Sequence, residues 1–137
     1  MMDRFEFEDG DTILITFEST NSEWKQGVGL SLFGDFGVDE SLYKDRIVLW
    51  ETTSPKSQNI SLHCEKTKRY KKKGLPQPGI LNVKNVWDSG NGAIEAWIGG
   101  AAMIVEEIEN GKRYRCNDGH PDENFDDIVF TVQKVAR

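Results

Sequence analysis

Polar and apolar residues alternate along most of this chain with the two-residue period of β-strands. Residues 4–7 (RFEF) alternate, and residues 12–17 (TILITF) are rich in β-branched and aromatic side chains. Val28, Leu30 and Leu32 alternate with small or polar neighbours. Further short runs lie at residues 46–50 (RIVLW), 59–64 (NISLHC), 80–86 (ILNVKNV), 93–98, 101–108 and 128–134. Turn signals separate them: Asp9-Gly10, the Gly99-Gly100 pair and Asn110-Gly111.

The last of these predicts a two-residue hairpin turn, because both positions of Asn-Gly tolerate positive φ. That register sets Glu109 against Lys112, Glu106 against Arg115 and Val105 against Cys116, and two of the three pairs have opposite charge. No segment holds helical spacing with caps, although residues 39–45 (DESLYKD) read as one helical turn with acids at its start. About ten short strands with Gly- and Asn-rich turns predict an all-β fold, an antiparallel β-sandwich or jelly roll. With 137 residues the chain is expected to be a single domain spanning 1–137, long enough to bury a core without staples.

Composition narrows the partners. Four Trp, three Tyr and seven Phe argue for a packed chain although only 37% of residues are hydrophobic. A net charge of −6 makes nucleic acid an unexpected partner. The basic residues are nevertheless bunched: Lys66, Lys68, Arg69, Lys71, Lys72 and Lys73 form one charged loop, read as solvated or as a dock for an acidic partner. No apolar run reaches membrane-spanning length and no signal-peptide core opens the chain, so the default expectation is a soluble cytoplasmic protein without membrane insertion, any export using another route. Two cysteines do not make a disulfide framework; Cys64 and Cys116 pair only if their strands are neighbours.

Chemistry concentrates in residues 117–127 (NDGHPDENFDD), where eleven residues carry five carboxylates and two side-chain amides just before a strand. Hard cations such as Ca²⁺ take about six to eight oxygen ligands, and carboxylates spaced by two along a turn converge on one ion. Asp122, Asn124 and Asp126 have that spacing, and Asp127 adds a further group. The alternative is a solvated acidic loop whose carboxylates repel one another.

Residues 118–132 (DGHPDENFDDIVFTV) resemble the calcium loop and final strand of the bacterial two-calcium, fucose- and mannose-binding lectins. The resemblance covers about twenty residues, in keeping with a short motif. It implies that Asp122, Asn124, Asp126 and Asp127 occupy ligand positions and that Phe125 occupies the family's aromatic. Asn117 stands where the family has a ligand Glu, unless Asp118 takes that role. In those lectins two Ca²⁺ ions are bound side by side, sugar hydroxyls coordinate both, and a partner subunit's C-terminal carboxylate completes the site, which makes a homo-oligomer compatible with the resemblance. This chain departs from the pattern in three ways: one extra residue lies between Gly119 and Asp122, acid and amide are exchanged at Asn124 and Asp126, and the last residue is Arg137.

Other constellations are weaker. His63, Cys64, Cys116 and His120 have the ligand types of tetrahedral zinc, but adjacent residues of a strand face opposite ways, so His63 and Cys64 do not reach one ion. Trp24 and Trp87 fall in expected loops and are candidate ligand-stacking residues, whereas Trp50 and Trp97 fall in expected strands as core. There is no nucleophile elbow, P-loop or dinucleotide fingerprint, and no enzyme is expected. Two functions follow as expectations. The first is a calcium-assisted, lectin-like module for carbohydrate, with Asp122, Asn124, Asp126 and Asp127 on the ion and Trp24 or Trp87 on the sugar. The second is an acidic protein-interaction module, of inhibitor or immunity type, that covers a basic site on a protein target without metal.

Overall fold

The computed structural model describes residues 2–64, 79–90, 94, 103–118 and 125–135. It bears out the expected antiparallel all-β class; among the described residues there is no helix. The described residues form nine strands: β1 (Met2–Phe7), β2 (Thr12–Thr20), β3 (Lys25–Val38), β4 (Ser41–Trp50), β5 (Ser57–Cys64), β6 (Gly79–Asp88), β7 (Met103–Ile108), β8 (Gly111–Cys116) and β9 (Ile128–Lys134). They form one continuous curled sheet, a half-barrel, in the order β1-β6-β3-β5-β2-β9-β8-β7, with β4 attached to β3.

The curl originates in β3. Its first half, Lys25 to Ser31, pairs with β6, and its second half, Gly34 to Val38, pairs with β5 on the same flank. β4 runs along the other flank, and its register with β3 shifts between Ser31 and Asp35. Asp45, with φ of 70°, sits opposite that irregularity. A strand that changes partners through a bulge bends and carries the sheet around a corner. The two arms that leave β3 therefore enclose a core between them. Their far ends meet, since the Asp3 carboxylate of β1 accepts hydrogen bonds from Lys112 Nζ at 3.0 Å and Tyr114 OH at 2.8 Å, both on β8.

The alternation read in the sequence is the burial pattern. Ile13, Ile15 and Phe17 of β2, Val28 and Leu30 of β3, Ile60 and Leu62 of β5, Leu81 and Val83 of β6, and Phe130 and Val132 of β9 all point inward. Side chains of this size each contribute about 2 kcal/mol when fully withdrawn from water. Tyr114 stacks on Phe130 with ring centroids 5.0 Å apart.

Three sequence expectations are corrected. Residues 39–45 form no helical turn: Asp39 and Glu40 make the β3–β4 turn, and the chain is extended from Ser41 onward. Asp39 has φ of 54°, outside the right-handed helical region, so the first acid closes a strand instead of opening a helix. The β7–β8 turn consists of Glu109 and Asn110, with Ile108 opposite Gly111, Glu107 opposite Lys112 and Glu106 opposite Arg113. Only Asn110 of the two turn residues has positive φ, 62°. Gly111 is not left-handed; it is needed for space, because a Cβ there would lie 2.7 Å from the Cα of Gln133 and collide with the Val132 carbonyl. Trp50 is half-buried, not core: it faces away from the core across Gly27, where a Cβ would meet its ring at 2.9 Å, and Lys25 Nζ lies 4.6 Å from its ring centre. The expected strand at residues 93–98, with Trp97, lies outside the described residues, as does the basic loop 66–73.

Candidate functional site

At one end of the half-barrel the β2–β3 connection, the C-terminal end of β8 and the start of β9 come together over β6. The acidic segment enters and leaves here, and both of its ends are tied down. Asp118 is fully buried; its Oδ2 accepts hydrogen bonds from Ser22 Oγ at 2.6 Å and from Gln26 Nε2 at 2.9 Å. The Asp118 backbone N–H donates to Asp127 Oδ2 at 2.9 Å, and Asp127 is buried as well. Asn117 Oδ1 accepts from the Phe125 backbone N–H at 2.7 Å, and its carbonyl accepts from Asn85 Nδ2 at 2.8 Å. Asn21 completes the clamp: its side chain donates to Asp126 Oδ2 at 2.9 Å and its backbone N–H to the Asp127 carbonyl at 3.1 Å. Phe125, with φ of 53°, turns the chain into β9.

This arrangement answers part of the charge question posed by the sequence. Charge-assisted hydrogen bonds from donors in a low-dielectric site stabilise a carboxylate strongly. Asp118 and Asp127 both accept such bonds. Two acceptors in the same network, Gln26 Oε1 and Asp126 Oδ1, are buried without a hydrogen-bond partner among the described residues. Among the described residues no three His, Cys, Asp or Glu side chains form a group able to hold a metal ion. Asp122 and Asn124 lie outside the described residues.

The structure brings Asn117, Asp118, Asp126 and Asp127 together and separates the two tryptophans. Trp87 is a correction: it lies within β6, 3% exposed and opposite Gln26, and is not available for stacking on a ligand. Trp24 is half-buried at the polar end; its N–H donates to Ser22 Oγ and its carbonyl accepts from Gln26. Sequence reasoning missed Asn21, Ser22, Gln26 and Asn85. For the last two a signal existed: Gln26 is in phase with Val28 and Leu30, and Asn85 with Leu81 and Val83, so each is a polar residue on a core-facing position.

The zinc constellation is not assembled. His63 is exposed on β5 and Cys116 buried on β8, with β2 and β9 between those strands. The same separation rules out a Cys64–Cys116 disulfide. Burial, with a smaller contribution from the Asp127 charge, pushes the Cys116 thiol up to about 12.

The exposed chemistry lies elsewhere. Among the described residues β7 pairs only with β8, and it extends past the core so that both of its faces meet solvent. Ile104 is 39% and Val105 38% exposed, and Glu106, Glu107 and Glu109 follow them. Arg113 bridges Glu18 at 2.7 Å and Glu106 at 3.4 Å, and the hydrogen bond to Glu18 is the main cause that raises the guanidinium further above its ordinary value. At the opposite arm, Phe33, Tyr43 and Leu42, the last 73% exposed, stand at the free end of β3–β4. No family model, curated protein or solved structure matches the chain.

Proposed function

We propose that this protein is an acidic, non-catalytic recognition module that covers a basic surface on a partner protein. Its sandwich-like scaffold has two arms that share β3. The carrying observation is the β7–β8 hairpin, which stands out from the core with Ile104 and Val105 exposed beside Glu106, Glu107 and Glu109. Exposed apolar side chains beside carboxylates supply both contact area and electrostatic selection of the partner, and the basic residues of the hairpin lie on β8, away from the outer edge of β7. The carboxylates of the polar end serve a different purpose, since Asp118 and Asp127 fasten the loop to the scaffold.

A selection of displayed domains on the immobilised protein tests this reading. Recovered binders are expected to be basic, to weaken with added salt, and to lose affinity for a Glu106→Gln/Glu107→Gln variant. Recovery of neutral binders indifferent to that variant refutes it.

Calcium-assisted, lectin-like binding is the second reading, and the two acceptors without a partner among the described residues, Gln26 Oε1 and Asp126 Oδ1, favour it. These two oxygens fall short of the roughly six that Ca²⁺ requires, so the described residues alone do not fit the ion. Calorimetric titration with Ca²⁺ separates the readings. Heat and a raised melting temperature at millimolar Ca²⁺ support the lectin-like one, because a ligand bound only by the folded state stabilises it. Their absence removes it.

A further inference from the structure

We infer that β7 accepts an additional strand, an extended segment of a partner protein that reads, from its N-terminus, two basic residues followed by two β-branched apolar ones. The inference rests on the recognition reading above and assigns it a backbone geometry and a sequence pattern.

Three observations lead to it. First, β7 is a regular strand: all six residues from Met103 to Ile108 keep one register with β8, without a bulge. Edge strands are usually blunted by bulges, proline or lysine, because their unpaired N–H and C=O groups template the addition of another strand. β4 carries those devices, namely the positive-φ Asp45 between Lys44 and Arg46. β7, an edge among the described residues, has no bulge, proline or lysine; its charges are the acids Glu106 and Glu107, which repel an acidic strand and leave the edge open to a basic one. Second, both faces of β7 are exposed from Ile104 to Glu107, so an added strand finds side chains to contact on either side. Third, the order of those side chains is unusual. Successive residues of a strand face opposite ways. Ile104 and Glu106 therefore share one face, and Val105 and Glu107 share the other. Each face presents one apolar residue and one acid, at the same level along the strand.

An antiparallel neighbour meets Glu107, Glu106, Val105 and Ile104 in that order. Opposite charges and apolar pairs directly across two strands stabilise their pairing. The complementary sequence is basic, basic, apolar, apolar, and a simple alternation of basic and apolar residues does not satisfy it, since that places both charges on one face. Backbone pairing supplies affinity, and the side-chain order supplies selectivity, as in other recognition by strand addition.

Four peptides test the inference. A Thr-flanked Lys-Lys-Val-Ile peptide is compared with its reordered form Lys-Val-Lys-Ile, with a form N-methylated at alternate amides, and with Glu-Glu-Val-Ile. Fluorescence anisotropy gives affinity at fixed salt, and backbone amide shifts locate the contact. The first peptide is expected to bind with shifts along β7, and the other three at least roughly tenfold more weakly, the effect of losing about 1.4 kcal/mol. Glu106→Gln/Glu107→Gln, checked for an unchanged fold by its amide spectrum, is expected to weaken the first peptide roughly fivefold by removing two cross-strand charge pairs. Equal binding of the first two peptides, undiminished by N-methylation but lost in the variant, overturns strand addition and leaves the acidic recognition reading standing. Failure of both basic peptides to bind at low salt overturns both.

Discussion

Asp127 shows how one side chain decides between two accounts of the acidic segment. If its charge only added to a repelling cluster, removing it would leave stability unchanged or slightly raised. In the structure its carboxylate accepts the Asp118 N–H in a buried site, and Asp118 in turn holds Ser22 and Gln26. A buried donor left without an acceptor costs about 1–3 kcal/mol. Asp127→Ala is therefore expected to lose about 2 kcal/mol in urea titrations performed in EDTA, and Asp127→Asn, which keeps an acceptor oxygen, less. Cys116 gives a second residue-level test. Its thiol titrates near 9.0 when unfolded and about 12 when folded. A raised pKa means that the fold favours the neutral thiol, so this stabilisation is complete below pH 9 and is lost as pH rises from there toward 12. Tyr114 acts in the same direction, through burial first and the Asp3 acceptor second. Melting temperature is expected to fall over that window, and a Cys116→Val variant to show a shallower fall. At this scale the sequence displayed Asn117, Asp118, Asp126 and Asp127 as a group but did not show which residues donate to them: Gln26 and Asn85 stood out only as polar residues in core phase, and Asn21 and Ser22, 105 and 96 residues from their acceptors, left no local pattern.

Among the elements, the hairpin was legible in kind and displaced in register. Asn-Gly signals a turn because both residues tolerate positive φ, and that inference weighs only local conformation. The register was set instead by β9, which packs so closely on β8 that position 111 has no room for a Cβ. Gly111→Ala must push the hairpin off β9 and is expected to cost about 1–3 kcal/mol, the usual range for overpacking, whereas Asn110→Gly, at φ of 62°, is expected to be nearly neutral. Urea titration of the two variants distinguishes a turn built on Asn110 from one built on Asn110-Gly111, in which Gly111 would be the more sensitive for its φ. The stretch at 39–45 misled for a related reason: acids suit a helix start, but a 14-residue strand on one side and a waiting partner on the other override a weak local preference. The strands β2 and β5 lay close to where alternation put them because each buries one face only, whereas β9 was legible as a run of β-branched and aromatic residues and is buried on both faces from Ile128 to Val132.

For the whole molecule, the all-β class followed from composition and period, and the curl did not. It depends on β3 exchanging β6 for β5 along one flank, which is a matter of partners far apart in the chain. The same connectivity has a consequence for biosynthesis. β2 finds its β9 partner only when residues 128–134 have been made, and β8 needs β9 as well. Until then β2 has only β5 beside it and Tyr114 lacks the Phe130 ring on which it stacks, and pairings of this kind form slowly and leave sticky edges in the interval. The unfinished chain therefore keeps an open flank on β2 until β9 is made, and its net charge of −6 holds neighbouring chains apart in that interval.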